Sequence, residues 1–175
     1  MNKIAVTLAM LLLVHSLDAD AGGRVRAAGA RPNAQGGVSA GSAAAVSGPN
    51  GGRAARAGGV ATDAEGNAVG GSAAAVQTAN GGQAARAGAF QRNADGSGTR
   101  SGGFAASGTQ GNVASTGSAT RNADGSVSGL RQTSATSSSG AAYNGSTEYD
   151  SETGVNHSGT CTDAAGNVVA CPRPN

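Results

Sequence analysis

Glycines recur along this chain at a near-constant interval. Gly36, Gly51, Gly66, Gly81, Gly96 and Gly111 stand fifteen residues apart. Gly125, Gly140 and Gly154 continue the series in steps alternating fourteen and fifteen, and Gly166 closes it early. Most sit in turn chemistry: Pro49-Asn50-Gly51, Ala79-Asn80-Gly81, Ala94-Asp95-Gly96 and Ala123-Asp124-Gly125. Asn-Gly and Asp-Gly are strong hairpin signals because both positions tolerate positive φ. A chain that must reverse every fifteen residues cannot hold long helices. The spacing leaves about ten or eleven residues between turns, a strand of roughly 35 Å.

The strict repeat is thirty residues, two steps of the ladder. Gly41-Ser-Ala-Ala-Ala-Val46 returns as Gly71-Ser-Ala-Ala-Ala-Val76, and Asn50-Gly-Gly-Arg-Ala-Ala-Arg-Ala-Gly58 as Asn80-Gly-Gly-Gln-Ala-Ala-Arg-Ala-Gly88. Arg92-Asn-Ala-Asp-Gly96 returns as Arg121-Asn-Ala-Asp-Gly125. Units of this kind bury little alone and must stack. The fold class is all-β, in one of two geometries. An antiparallel meander would reverse at each glycine; a flattened β-solenoid would make one rung of each thirty residues. The turn signals favour the meander, the thirty-residue identity the solenoid.

Composition supplies a third reading, a largely disordered chain. Beyond residue 21 the large apolar residues are eleven valines, Leu130, Phe90, Phe104, Tyr143 and Tyr149. Each contributes only about 1.5–3 kcal/mol when fully buried, against on the order of 1.5 kcal/mol per ordered residue. Such a core does not fold the chain by itself. Tight Ala/Gly/Ser faces with saturated backbone hydrogen bonds, or association with other chains, must make up the difference. The alternation is faint: Val38, Ala40, Ser42, Ala44 and Val46 share one parity, as do Gly98, Arg100, Gly102, Phe104 and Ala106. Phe90 and Phe104 read as local core plugs.

Met1-Asn-Lys3 followed by the apolar run Ile4–Val14 has the pattern of a secretory signal peptide, with small residues at Ala19 and Ala21. Residues 1–21 are expected to be removed by cleavage between Ala21 and Gly22. The apolar run is too short to span a bilayer, which takes about twenty residues, so no membrane span is expected in the mature chain. The expected location is the periplasm, the cell surface or the outside. Residues 22–33 lack turn signals and read as a flexible N-terminal arm. Residues 34–160 form the Gly/Ala/Ser-rich array, turning to Ser/Thr beyond 121, and 161–175 form a separate closing hairpin.

Cys161 and Cys171 lie symmetrically around Gly166. A reversal at Ala165-Gly166-Asn167 would set them opposite each other on paired strands. Two cysteines in an exported chain read as one disulfide, worth roughly 3 kcal/mol in the loop-entropy account. A metal site lacks ligands, since His157 is the one histidine beyond the leader.

Thr62-Asp63-Ala64-Glu65-Gly66-Asn67 and Thr162-Asp163-Ala164-Ala165-Gly166-Asn167-Val168 resemble the turn core of the tyrosine–aspartate repeats of Rhs-type bacterial surface and toxin-shell proteins. The tyrosine is missing at both places. The resemblance implies secreted β-hairpin arrays that build shells or bind carbohydrate. The Gly/Ala/Ser composition is also similar to that of fibre-forming matrix proteins such as curli.

Catalysis is not expected, because no lysine follows the leader and His157 stands without a nearby nucleophile pattern. No cofactor or metal is expected. Asp63, Glu65 and Asn67 alternate within one turn but lack the glycine and terminal glutamate of a calcium loop, so turn capping is their expected role. Nucleic acid is not an expected partner, as few aromatic residues interleave with the arginines. Two function classes remain: an exported structural or interaction protein of the surface or matrix that self-associates or contacts surface polymers, and a soluble secreted binding module for glycan or another polymer.

Overall fold

The computed structural model of the chain describes residues 22–171. The expected leader and its Ala21 lie outside the described residues, as do Pro172 and Pro174. Eleven strands follow one another: β1 Gly23–Pro32, β2 Val38–Ser47, β3 Arg53–Thr62, β4 Ala68–Gln77, β5 Gln83–Arg92, β6 Gly98–Gly108, β7 Gly111–Arg121, β8 Val127–Ser137, β9 Ala142–Asp150, β10 Gly154–Thr162 and β11 Val168–Val169. They form one open antiparallel sheet in sequence order, so the chain is a β-meander, neither a solenoid nor a disordered coil. The sheet is about 50 Å wide at the usual interstrand spacing.

All ten ladder glycines have positive φ, from 75° at Gly36 to 131° at Gly111. Most of the turns are not the two-residue hairpins that Asn-Gly signals. The first turn residue donates its N–H to the carbonyl of the fifth, as in Asn33 to Gly37 at 2.9 Å and Asn93 to Ser97 at 2.8 Å. The fourth residue, the glycine, donates back to the carbonyl of the first, as in Gly96 to Asn93 at 3.0 Å. This is the three-residue loop of a type I turn closed by a glycine bulge. Gly154 and Gly111 depart from this: Gly154 is the fifth residue of its turn, paired with Asp150, and Gly111 pairs with Gly108 around a two-residue Thr109-Gln110 loop, after which the ladder step first drops below fifteen. Turns on one end of the strands are also laced together. Ala64 donates to the Gln35 carbonyl at 2.9 Å, and Ala94 donates to Asn67 Oδ1 at 2.9 Å.

Residues 22–33 are not a flexible arm. Gly23–Pro32 is strand β1, paired with β2 along its whole length from Gly23–Ser47 to Pro32–Val38. Its cause is the repeat itself. Arg26-Ala27 stands thirty residues before Arg56-Ala57 and sixty before Arg86-Ala87, so it occupies the same place in an earlier unit. The array therefore begins at Gly23 rather than at residue 34.

No second layer covers the sheet among the described residues. Of the described residues only Cys161, at 7% exposure, and Ser115, at 3%, are buried. Phe90 and Phe104 are 41% and 38% exposed, so they are not core plugs. The order rests on backbone ladders shared by every interior strand, on cross-strand pairs worth about 0.2–1 kcal/mol each, and on glycines that take the turn conformation without strain.

Candidate interaction surfaces

In an antiparallel sheet, residues directly opposite each other share a face. The register therefore sorts every strand residue onto one of two faces. Val38, Ala40, Ser42, Ala44 and Val46 of β2 lie on the same face as Gly98, Arg100, Gly102, Phe104 and Ala106 of β6. We call it the arginine face. Arg24 and Arg26 of β1, Arg56 of β3 and Arg86 and Arg92 of β5 belong to it. So do Arg100, Arg121 and Arg131 of β6, β7 and β8. Only Arg31 and Arg53 of the strand arginines lie on the other face, near strand ends. All four aromatic rings, Phe90, Phe104, Tyr143 and Tyr149, are on the arginine face as well.

Acids avoid that face. The two strand carboxylates, Glu148 and Asp150, pair with Leu130 and Ser128 on the opposite face. That face is built mostly of small residues, with Ala27, Ala43, Ala57, Ala73 and Ala87 in one row and Ala45, Ala55, Ala75 and Ala85 in the next. The remaining acids among the described residues occupy turns. Asp63, Glu65, Asp95, Asp124 and Glu152 line one end of the strands, and Asp163 alone stands at the other.

The turn carboxylates are committed to their own loops. Asn67 donates its backbone N–H to Asp63 Oδ1 and its Nδ2 to Oδ2, both at 2.8 Å. Asn167 does the same to Asp163 at 2.8 and 3.0 Å. Ser97 caps Asp95 and Ser126 caps Asp124, each through N–H and hydroxyl. These hydrogen bonds favour the charged form and hold Asp63, Asp95, Asp124 and Asp163 below the ordinary carboxylate range. Turn capping thus accounts for the Asp63 and Asn67 oxygens. No cluster of three metal-binding side chains occurs among the described residues.

Two of the aromatic rings cover glycines. A Cβ placed on Gly70 would meet Phe90 Cε1 at 2.5 Å, and the two residues are direct cross-strand partners. Tyr143 covers both Gly145 and Gly159 in the same way. Its hydroxyl reaches His157 Nε2 at 3.2 Å, while Thr147 Oγ1 meets His157 Nδ1 at 2.8 Å. At the middle of the sheet, Arg131 donates from Nε to Ser115 Oγ at 2.9 Å and sits 5.7 Å from the centre of the Phe104 ring. Ser115 donates in turn to the Gln132 carbonyl at 2.9 Å, which is why a buried hydroxyl is tolerated there.

The rows of the arginine face repeat with the sequence. One row runs Arg26, Ala44, Arg56, Ala74, Arg86, Phe104 across six strands. The thirty-residue period becomes a spacing of two strands, about 9.5 Å between arginine stations. The row beside it runs Arg24, Val46, Ala54, Val76, Ala84. An open groove of about 660 Å³ lies along these two rows, with Arg26, Arg56, Arg86, Val46 and Val76 among its walls.

At the far end, Cys161 and Cys171 are disulfide-bonded, with Cα atoms 5.2 Å apart. They are not opposite each other, because the five-residue turn from Asp163 shifts the pairing so that Cys161 faces Val169. The chain leaves β11 after Val169 and returns Cys171 to its partner. β11 covers only Cys161 and Thr162 of β10, so among the described residues Gly154–Thr160 is a free sheet edge, and the outer edge of β1 is the other. No helix of the described residues is long and apolar enough to cross a membrane.

No known protein family matches the chain, and no curated protein or solved structure is similar to it.

Proposed function

We propose that this chain is an exported structural or interaction protein of the cell surface or extracellular matrix, and that copies associate by adding sheet to sheet at their free edges. The observation that carries this reading is the pair of open edges on a sheet with almost no core. An edge strand presents unpaired N–H and C=O groups, and proteins that avoid association block it with lysine, proline or a covering loop. Here β1 is exposed at every residue, and its single proline, Pro32, stands at its last position. β1 runs opposite to β10, so β1 of one copy laid beside β10 of another continues the meander and keeps each face continuous. Such a contact is heterologous and does not close, which gives filaments rather than dimers.

The likeness of the Asp63 and Asp163 turns to tyrosine–aspartate repeats supports a shell or matrix setting. The disulfide suits an oxidising compartment. A non-enzymatic role goes with this reading, and the contacts of both His157 ring nitrogens with Tyr143 and Thr147 fit a structural histidine. Far-UV circular dichroism and sedimentation velocity of the oxidised chain across concentration test the proposal. The expected result is a β spectrum with sedimenting species that lengthen as concentration rises. A β-rich monomer at every concentration would contradict it and leave the second reading, a soluble binding module for glycan or another polymer. The one-sided placement of the arginines favours that second reading.

A further inference from the structure

We infer that the arginine face binds a linear acidic polysaccharide, a polyuronate, laid across the strands along the Arg26–Arg56–Arg86 row. The inference specifies the ligand of the binding-module reading and does not depend on edge association.

Charge complementarity is the first support. Eight strand arginines share this face and no strand carboxylate does. The turn acids beside the row stand at strand ends and do not cancel it. Arg56 is seven residues from Asp63 along β3, about 24 Å at the strand rise. A guanidinium fork takes a carboxylate through two parallel hydrogen bonds, so arginine suits this ligand better than lysine would.

Periodicity is the second. Row stations about 9.5 Å apart call for a partner that is itself a repeating line of charges rather than a single anion. The spaces between stations hold only Ala44 and Ala74, so a chain can lie close to the sheet. On one side Val46 and Val76 offer an apolar rail for sugar-ring faces. On the other, Ser42 and Ser72 offer hydroxyls on a glycine floor that includes Gly58 and Gly88.

A nucleic acid is disfavoured by the same row. Sequence-independent binding of single strands needs aromatic platforms between the cations. From β1 to β4 none is present, and Phe104 at the end of the row already lies beneath Arg131.

The test is binding of polygalacturonate to the oxidised chain in about 0.15 M salt, with neutral dextran and an oligothymidylate as comparison polymers. Two variants carry the same charge change on different faces: Arg26→Gln with Arg56→Gln, and Arg31→Gln with Arg53→Gln. The first pair is expected to weaken polygalacturonate binding tenfold or more and to flatten its salt dependence. The second should change it less than about twofold, as expected for charges off the row. All four side chains are exposed, and circular dichroism confirms that both variants keep the sheet. Equal losses in the two variants would overturn the inference, since net charge alone would then explain binding. So would absence of binding by the native chain, binding of neutral dextran as tight as that of polygalacturonate, or tighter binding of the oligothymidylate. Repeating the measurement on a chain with lysines at its edges keeps the result separate from association: binding that persists there supports the row, and binding that vanishes with association overturns it.

Discussion

Phe90 lies across the strand from Gly70 and fills the place where a Gly70 side chain would be, with Cε1 2.5 Å from an ideal Cβ. The glycine weakens its own strand, and the ring compensates by covering the exposed backbone, a pairing also used to stabilise designed sheets. Gly70→Ala should therefore destabilise the sheet by about 1–3 kcal/mol, the usual cost of overpacking. Gly29→Ala, where nothing lies within 4 Å, should instead be neutral or stabilise by up to about 1 kcal/mol. Urea unfolding followed by circular dichroism compares the two. Equal effects would mean that the ring does not depend on the bare glycine.

Turn glycines differ in what they tolerate. Gly81 has φ 80° with open space around it, so Gly81→Ala should cost about 1–2 kcal/mol from backbone strain alone, and Gly81→Asn less. A Cβ on Gly111 would additionally collide with the Thr136 carbonyl. Gly111→Ala should be the more damaging change, and the order of the two melting temperatures checks it.

Acid should loosen the turns before it opens the sheet. Asp63 and Asp163 have pKa values lowered by hydrogen bonds from Asn67 and Asn167. A depressed carboxylate contributes stability that is present above its unfolded pKa, near 3.8, and is lost as pH falls through the lower folded value. The protection factors of the Asn67 and Asn167 amides, exchange rates corrected for their intrinsic pH dependence, should be steady down to about the ordinary carboxylate pKa and fall below it. Asp63→Asn should remove this response at Asn67 and leave that at Asn167 intact.

Reducing the disulfide should free little. β11 contributes only the pairs Cys161–Val169 and Thr162–Val168, and stacked repeats couple mainly to nearest neighbours. Hydrogen exchange after reduction should rise from about residue 161 onward and remain unchanged in β1 to β8. Loss of protection throughout would mean that the closing hairpin holds the whole array.

Much of this architecture is legible in the sequence because glycine reports backbone conformation directly. The ladder marks every reversal, and the parity of Val38 to Val46 and of Gly98 to Ala106 marks faces. Three things were not legible. Asn-Gly and Asp-Gly signal short turns, but the three-residue loop depends on hydrogen bonds such as Asn93 to Ser97 that spacing alone does not reveal. Strand β1 has no turn signal before it, and only the thirty-residue period from Arg26-Ala27 to Arg56-Ala57 marks it. The common face of the arginines and aromatic rings is a property of register. It emerges only when ten pairings are placed side by side, since a one-residue slip would scatter it.

Edge association is the central claim, and its most direct measurement uses two edge-blocked chains. Val25→Lys places a charge on β1, where Val25 is 55% exposed, and Val155→Lys places one on β10, where Val155 is 70% exposed. Lysine on an edge strand opposes pairing. In sedimentation velocity each variant alone should remain monomeric, because its one open edge meets only blocked partners. An equimolar mixture should form a species of two chains and stop there, while the native chain grows further. Growth of either variant alone to the native size, or a mixture that stays monomeric beside a native chain that assembles, would contradict head-to-tail pairing of β10 with β1.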